Sequence, residues 1–410
     1  MLERWRREHG LELDGGVLDA CFERVERALS VVEVSPELAG ANATVARRGA
    51  ERLGWSHGYL RRNARGCVGS GVCAFGCPTS AKQHVGITYL PRAQAAGATV
   101  ITGADVQRIV VEGARARGVR ARLASGGGEY LEVRAPWVVV AAGTIHTPLL
   151  LARNGLGAAS GQLGRNLVLH PATAGFALME EIVDMARGVP QSFYIDEFAS
   201  EGIMFEGIAG PPAYAALSLP LTGARHAAAM ASYRHLAQFG LMVSDRSRGS
   251  MRLPRRGRGG RPLIRYDIVE EDVAKFRVGL ARLDELFRGA GAREVYLPLP
   301  AGVSPERARA RDLKLLAFHP LGTARADVDP ARGVLDPNLR VHDVEGLYVA
   351  DGSAMPSSLG VNPQITIMAL ATRLAHHLLA QSVPHTAGDA PRTAQGIPDT
   401  ATDEEAQCRS

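Results

Sequence analysis

The sequence contains few cysteines and no long apolar run. Its 410 residues include five cysteines, which are too few for a disulfide scaffold in a chain of this length. No stretch approaches the ~18 consecutive apolar residues of a membrane-spanning helix. The first ten residues are charged and lack the apolar core of a secretion signal. These absences exclude a disulfide-rich domain and predict a cytoplasmic chain without a transmembrane segment.

Lysine is also scarce, and the positive charge is modest. The formal net charge is +5, and lysine occurs only at positions 82, 275 and 314. The densest basic cluster, 252–261, is interrupted by Gly and Pro and has no aromatic residue that could stack on a base. We interpret this cluster as a solvated hairpin or loop, and we expect no nucleic-acid partner.

Hydrophobic periodicity divides the chain into segments of different character. The apolar run 137–143 ends in small residues and is typical of a buried parallel strand. Strand-like pieces between 172 and 300 precede one long amphipathic helix, a pattern that favours an α+β unit with an antiparallel sheet. The predicted division is a helical segment (1–64), a discontinuous α/β unit (65–171 and 301–382), the α+β unit (172–300) and a disordered tail (383–410).

The stretch GCVGSGVCAFGCP, residues 66–78, combines glycines and cysteines. Residues 69–74 fit the G-x-G-x-x-G/A form of a dinucleotide fingerprint, which should follow a strand and open a helix. The preceding residues 61–65 are not apolar, and Pro78 follows too soon for a helix, so we reject this interpretation. The C-x5-C-x3-C spacing matches no usual zinc site, and we expect no metal. A thiol-redox or metal-binding protein is thus a weaker alternative that rests on these cysteines alone.

Three short motifs near the C-terminal end carry potential chemistry. His319 lies in an irregular stretch, and Asp351 follows a predicted strand at the edge where open α/β sheets bind ligands. Asn362 and Pro363 lead directly into a predicted helix, whose N-terminal N–H groups could hold an anion. Each motif also has a purely structural interpretation: a bonded loop histidine, a turn, and a helix cap.

The order of these motifs resembles the glucose–methanol–choline (GMC) oxidoreductase family. The resemblance is closest to the branch of cholesterol oxidases and bacterial long-chain alcohol oxidases. It runs from about residue 60 to 380. The matching motifs are GCVGSGVCAFGCP (66–78), VAAGTIHTP (140–148), GRNLVLHP (164–171), HPLGT (319–323), VADGS (349–353) and GVNPQITIMALA (360–371).

This resemblance implies an FAD-dependent oxidoreductase that acts on the CH–OH group of a hydrophobic alcohol or sterol. It implies a Rossmann-like FAD-binding domain in the α/β unit and a substrate domain in the α+β unit. Hydride would pass to flavin N5, with His319 as acid/base, Asn362 as its partner and Glu206 over the substrate. The match at Glu206 is the loosest of these, and the residues by themselves favour an exposed strand glutamate there. The cofactor-binding residues that it implies are Val106, Gly143, Asp351, Gly352, Asn362, Pro363 and Gln364. The 66–78 stretch would be a loop close to the flavin, with glycines that let the backbone approach the ring.

One part of the family pattern has no counterpart in the sequence. Family members begin with a strand, a G-x-G-x-x-G turn and a helix that bind the FAD pyrophosphate. We therefore expect an incomplete Rossmann-like domain that lacks this N-terminal βαβ segment and binds FAD weakly by itself. The alternative function is a non-catalytic fragment, or a subunit that needs a separate FAD-binding chain.

Overall fold

A large antiparallel sheet organises the computed structural model, which describes residues 1–124, 127–252 and 261–382. The predicted tail 383–410 and most of the basic cluster 252–261 lie outside these residues, so both interpretations stay predictions. Residues 1–374 form one compact unit, and the described part of a second unit continues the last helix to Ser382. The predicted division into domains is not tested by this unit and also stays a prediction.

Nine α-helices occur within the described residues. They are α1 (Leu2–His9), α2 (Gly15–Ala28), α3 (Pro36–Leu53), α4 (Tyr89–Ala95), α5 (Gly143–Asn154), α6 (Pro212–Ser218), α7 (Gly223–Ala231), α8 (Glu270–Gly289) and α9 (Gln364–Ser382). The long amphipathic helix predicted after the strands of the α+β unit is confirmed as α8.

Fifteen strands occur in the same residues. They are β1 (Val31–Glu33), β2 (His57–Tyr59), β3 (Arg61–Asn63), β4 (Ala104–Glu112), β5 (Arg115–Leu123), β6 (Tyr130–Arg134), β7 (Val138–Val140), β8 (Ala172–Leu178), β9 (Phe193–Ile195), β10 (Ile203–Gly207), β11 (Leu236–Val243), β12 (Ser250–Arg252), β13 (Leu263–Arg265), β14 (Glu294–Tyr296) and β15 (Leu347–Val349).

The largest sheet has six strands in the order β14-β8-β11-β10-β9-β2, and every pairing is antiparallel. This confirms the antiparallel sheet predicted for 172–300. The edge strand β2 comes from the segment 1–64, which also supplies β1 and β3. Segment 1–64, predicted as helical, combines helices α1, α2 and α3 with these short strands.

Helices α3 and α8 cover one face of this sheet. A Cβ at Gly49 of α3 would lie 2.3 Å from the carbonyl oxygen of Leu286 in α8, so glycine lets the two helices pack closely. The long aromatic and aliphatic side chains between the helices and the sheet are fully buried, among them Phe205, Phe239 and Phe276. This layer forms the main hydrophobic core and fixes the sheet on which Glu206 lies.

The α/β part is built from smaller sheets. Strands β4, β5 and β6 form an antiparallel sheet, and β7 pairs in parallel with β15. The parallel strand predicted from 137–143 is thus confirmed in direction. Val138 and Val140 are buried, whereas Val139 is 44% exposed, so one face of this pair is open in the described structure. Mixed sheets with flanking helices make this an α/β arrangement.

The glycine-rich stretch 66–78 is irregular, and it follows the short strand β3. No helix follows until α4, which agrees with rejecting the fingerprint. A Cβ at Gly71, which has a φ of +73°, would lie only 1.7 Å from the carbonyl oxygen of Ala186. The glycine therefore permits a close contact between two backbone segments. The predicted reason for glycine, an approach to the flavin ring, does not explain this position.

Candidate active site

The three residues predicted to act on substrate lie together. Nδ2 of Asn362 is 3.4 Å from Nε2 of His319, and the same amide donates a hydrogen bond to the Glu206 carboxyl group. His319 comes from the loop after the 310–312 turn, Asn362 from the residues before α9, and Glu206 from β10. We call these three residues the His319 cluster. The folded chain thus brings Glu206 beside two side chains that lie more than a hundred residues later in the sequence.

The His319 ring lies in a poorly solvated position. Its Nδ1 is buried and has no hydrogen-bond partner among the described residues. Burial, with a smaller contribution from the charge of His170, lowers the pKa of His319 from 6.5 to about 4. The ring is therefore neutral at neutral pH. Asn362 donates toward Nε2 over a long distance, which leaves that nitrogen able to accept a proton from another group.

Glu206 is also held away from water. Burial raises its pKa, while hydrogen bonds from Asn362 and Gln191 act in the opposite direction. The bond from Gln191 Nε2 to the carboxylate is long, at 3.4 Å, and Arg62 donates in turn to the Gln191 carbonyl oxygen at 2.9 Å. The sequence favoured an exposed strand glutamate at this position, and that interpretation is wrong because the side chain is partly buried beside Asn362.

Small residues flank Glu206 on the sheet. Glu206 pairs in register with Tyr194 on one side and Gly240 on the other, and Gly240 pairs with Ala174. Side chains on neighbouring strands at these positions point to the same face. The face that carries Glu206 is thus lined by glycine, alanine and one tyrosine, together with Met204 one row away. It is mostly apolar.

Asp351 is the hub of a second group of bonds, at the carboxyl end of β15. Its Oδ2 accepts the backbone N–H of Gly143 at 2.9 Å and the hydroxyl of Thr147. Its Oδ1 accepts the N–H of Ser353 at 2.8 Å and the hydroxyl of the same residue. We call this group the Asp351 hub. Because both oxygens bond to protein donors, the carboxylate acts as an internal brace between β15 and the start of α5.

Further bonds tie the hub to the His319 cluster. Thr144 Oγ1 donates to the carbonyl oxygen of Pro320 at 2.6 Å, and Thr323 Oγ1 donates to the Thr144 carbonyl at 2.6 Å. The N–H of Gly322 donates to the carbonyl oxygen of Gly352 at 3.0 Å. The loop that carries His319 is therefore fixed against the first turn of α5.

Most of the predicted cofactor residues gather around this junction. Gly143 has a φ of +81°, and a Cβ placed there would meet nothing within 4 Å, so space is open above it. A Cβ at Gly352 would lie 2.8 Å from Thr144 Oγ1, so this glycine serves tight packing. Pro363 is buried and Gln364 is exposed at the start of α9.

Val106 lies apart from these residues. It belongs to β4, where it pairs with Ala121 in the three-stranded sheet. Asn154, at the C-terminal end of α5, bonds to the backbone of Gln107 and Ile109. The structure thus places Val106 near the opposite end of α5 from Gly143, and its predicted contact with the adenine stays a prediction.

Three residues near the site were not singled out from the sequence: Arg62, His170 and Gln191. His170 ends the stretch 164–171 and adopts a φ of +51°, and its ring lies 5.9 Å from the His319 ring. The His-Pro pair at 170–171 was the available signal, since it matched the family pattern. Gln191 and Arg62 carried no recognisable pattern, because their role depends on strand pairing across the sheet.

The cysteines do not form part of this site. Cys67, Cys73 and Cys77 are free thiols. N–H donation from Lys82 to Cys77 lowers the pKa of that thiol to about 7. Across residues 1–124, 127–252 and 261–382, no group of three or more His, Cys, Asp or Glu side chains is placed to hold a metal. None of the helices in these ranges combines the length and apolarity needed to cross a membrane.

Two protein-family models match this chain. The N-terminal GMC oxidoreductase model matches residues 1–172, and the C-terminal GMC oxidoreductase model matches residues 245–371. The matches do not support the predicted loss of an N-terminal segment. The matches also do not favour the alternative of a non-catalytic chain.

Several known proteins are similar over most of this chain. An uncharacterised GMC-type oxidoreductase of Mycobacterium tuberculosis is 41% identical over 93% of this chain and 61% of its own length. Another, from Sinorhizobium fredii, is 32% identical over 96% of this chain and 79% of its own length. A long-chain-alcohol oxidase of Arabidopsis thaliana is 26% identical over 83% of this chain and 49% of its own length. The chain thus spans about three fifths of the mycobacterial relative.

Solved structures show the same fold at low sequence identity. Pyridoxine 4-oxidase from Mesorbium loti superposes with a TM-score of 0.62 at 20% identity, over 85% of this chain and 71% of its own. Formate oxidase of Aspergillus oryzae, in a study of FAD modification, gives a TM-score of 0.67 at 16% identity, over 85% and 72%. The GMC oxidoreductase family that both models describe indicates FAD as the cofactor. The matched regions and the 41% and 32% identical relatives show that the chain belongs to the GMC oxidoreductase family.

Proposed function

We propose that this protein is an FAD-dependent oxidoreductase that oxidises the CH–OH group of a hydrophobic alcohol or sterol. The observation that carries the proposal is the His319 cluster: a neutral imidazole, an amide and a desolvated carboxyl group meet beside the Asp351 hub. Family membership supplies the cofactor and the general reaction, and this arrangement supplies the groups that would handle the substrate hydroxyl.

The residues present fit the flavin part of FAD. The backbone at residues 141–142 is exposed, and the Cβ direction of Gly143 is open, so a planar ring could lie against this turn. The first N–H groups of α9 lack acceptors within the helix and favour a negative charge. Asn362 and Gln364, both exposed, lie at this helix start. We assign Gly143, Asn362, Pro363 and Gln364 to the flavin side, with Asp351 and Gly352 shaping the turn behind it.

The chain's own side chains would control the substrate hydroxyl. FAD, when bound, supplies the acceptor for the hydride that leaves the alcohol carbon. Nε2 of His319 would accept the hydroxyl proton, because the low pKa of this ring keeps it neutral at working pH. The Asn362 amide would donate to the same oxygen and hold it in place. Removing the O–H proton makes the adjacent C–H a better hydride donor, so proton transfer to His319 would favour the loss of hydride from the alcohol carbon.

The surroundings of Glu206 favour a hydrophobic substrate. Gly240, Ala174 and Met204 leave a mostly apolar face next to the only acid of the cluster. A long apolar chain or ring system would cover this face and complete the exclusion of water. The name of the plant relative, a long-chain-alcohol oxidase, agrees with such a substrate. The Glu206 carboxyl group, whose pKa is raised by burial, lies beside Asn362 and would contact the substrate oxygen from the apolar face.

The test is a binding and turnover experiment with the 410-residue chain. Titration with FAD, followed by flavin fluorescence, measures the affinity that the sequence analysis predicted to be weak. Long-chain primary alcohols, a sterol and a short alcohol are then supplied at saturating FAD, with oxygen or an artificial electron acceptor. We expect aldehyde or ketone from the hydrophobic alcohols and none from fatty acids of matched length. A chain that binds no FAD, or that binds FAD and oxidises none of the alcohols with either acceptor, would contradict the proposal.

A further inference from the structure

His170 is a fully buried histidine behind the His319 cluster. Its exposed fraction is 0%, and its backbone adopts the left-handed conformation with a φ of +51°. The carboxylate of Asp245 accepts the N–H groups of Leu169 and His170 at 3.0 and 3.3 Å, which stabilises this turn. Such a conformation is costly for a residue with a Cβ, so the position of the ring is strongly constrained by its surroundings.

The ring connects the two segments that carry His319 and Asn362. Nδ1 of His170 lies 3.3 Å from the carbonyl oxygen of His319. The N–H of Leu359, three residues before Asn362, donates to Nε2 of His170 at 2.8 Å. An N–H can only donate and a carbonyl oxygen can only accept, so one protonation state satisfies both contacts. That state is the neutral ring with its proton on Nδ1.

The environment favours this neutral state. Burial lowers the pKa of His170, which outweighs the opposite effects of Asp245 and of the bond to His319. A protonated ring would point an N–H at the N–H of Leu359 and would lose that bond. It would also place a positive charge beside the His319 ring, 5.9 Å away between ring centroids. The neutral state thus keeps the hydrogen bonds to both segments and places no positive charge beside His319.

We propose that His170 is a positioning residue, whose ring sets the separation between His319 and Asn362 by bonding to one segment on each side. This inference rests on the proposed function, since it assigns His170 to the same site. His170 does not touch the substrate in this account. It acts by holding the peptide of His319 and the turn at Leu359 in one arrangement, so that the two polar side chains converge on one oxygen.

Two measurements on the protein without FAD test the contacts directly. In ¹⁵N NMR spectra of the full chain, His170 should show the tautomer protonated at Nδ1 between about pH 5 and pH 8. Hydrogen exchange at the Leu359 amide should be slow in the wild type and in His170→Gln, whose side-chain oxygen can still accept that bond. It should be at least about tenfold faster in His170→Leu, which has no acceptor. An Nε2–H tautomer, or equal exchange in all three proteins, would overturn the proposal without reference to catalysis.

The kinetic test uses the same variants at saturating FAD. His170→Leu should lower kcat by about 10- to 100-fold with little change in KM, and His170→Gln should lower it less. The matched control is His9→Gln, which alters another buried histidine, bonded to Asp327 at 2.9 Å instead of to His319 or Leu359. Unchanged kcat in His170→Leu would overturn the inference while the proposed function stands. Loss of the proposed function itself would appear instead as a wild-type chain that oxidises no alcohol.

Discussion

The Asp351 hub and the His319 cluster are neighbours with opposite degrees of hydrogen bonding. Both oxygens of Asp351 accept bonds from protein donors, two of them backbone N–H groups within 2.9 Å. In the cluster, His319 Nδ1 is buried without a partner among the described residues, and the side-chain contacts of Glu206 and His319 extend to 3.4 Å. Buried polar groups are normally satisfied, so the under-bonded cluster is the part of the site that we propose receives the substrate.

This contrast separates structural from functional polar residues more clearly than the motifs do. Asp351 was predicted to approach the cofactor, which stays a prediction, and its carboxylate braces the turn beside Gly143. Glu206 was predicted with the weaker pattern, and its desolvated carboxyl group joins the cluster. A substitution in the hub should therefore cost stability first, whereas a substitution in the cluster should cost turnover first. The following predictions are arranged to test that distinction.

The largest effect in this series is expected for Asn362→Ala. Without the amide, the substrate oxygen loses a preorganised donor, and kcat should fall by about 100-fold. The free energy of unfolding should change little, because Asn362 is exposed, its bond to His319 is long, and Gln191 still donates to Glu206 when the amide is removed. Steady-state kinetics and urea unfolding measure the two quantities. A large loss of stability with normal kcat would mean that Asn362 has a structural role and not a role in turnover.

Asp351→Asn should show the opposite balance. The amide would present an NH2 group to donors that now face a carboxylate oxygen, so the free energy of unfolding should fall by about 2 kcal/mol. Urea unfolding provides the measurement. The exposed Asp343 offers a matched control, because Asp343→Asn should change stability by about 0.5 kcal/mol or less. Equal unfolding curves for the two variants would show that the hub is not a brace.

The smallest effect concerns Glu206 and appears as a pH dependence of stability. Burial raises the pKa of Glu206, so the folded protein binds this proton more tightly than the unfolded chain. Stability from this group is present below the unfolded pKa and is lost as pH rises through the raised folded pKa. Glutamine cannot ionise, so the stability of Glu206→Gln relative to wild type should increase with pH. Urea unfolding at several pH values measures this, with the exposed Glu201→Gln as control. A constant difference would contradict the desolvation of Glu206.

Much of the fold could be predicted from local patterns. The amphipathic period located α8, and the apolar run 137–143 located β7 as a parallel strand. Segment 1–64 was harder, because β2 is only three residues long and is stabilised by pairing with β9 in a distant part of the chain. No local periodicity reports such pairing. Gly71 shows the same limit, because glycine is needed there for a close approach to the backbone of Ala186, a residue far away in the sequence.

The site was predicted in part, through resemblance. His319 and Asn362 were recognised from motif order, and the structure brings their side chains within 3.4 Å. The contacts of His170 depend on a left-handed backbone at that residue and on two loops that meet only in the folded chain. Gln191 reaches Glu206 across neighbouring strands. These features follow from tertiary geometry, which the order of residues does not display.

The central claim is that His319 accepts the proton of an alcohol oxidised by this chain with FAD. The most direct measurement is the rate of flavin reduction by a hydrophobic alcohol without oxygen, in wild type and in His319→Ala. We predict that the variant retains FAD and is reduced about 1,000-fold more slowly. The control His235→Ala, whose ring bonds the carbonyl oxygens of Glu180 and Glu181, should match wild type. Reduction of His319→Ala at the wild-type rate would contradict the account.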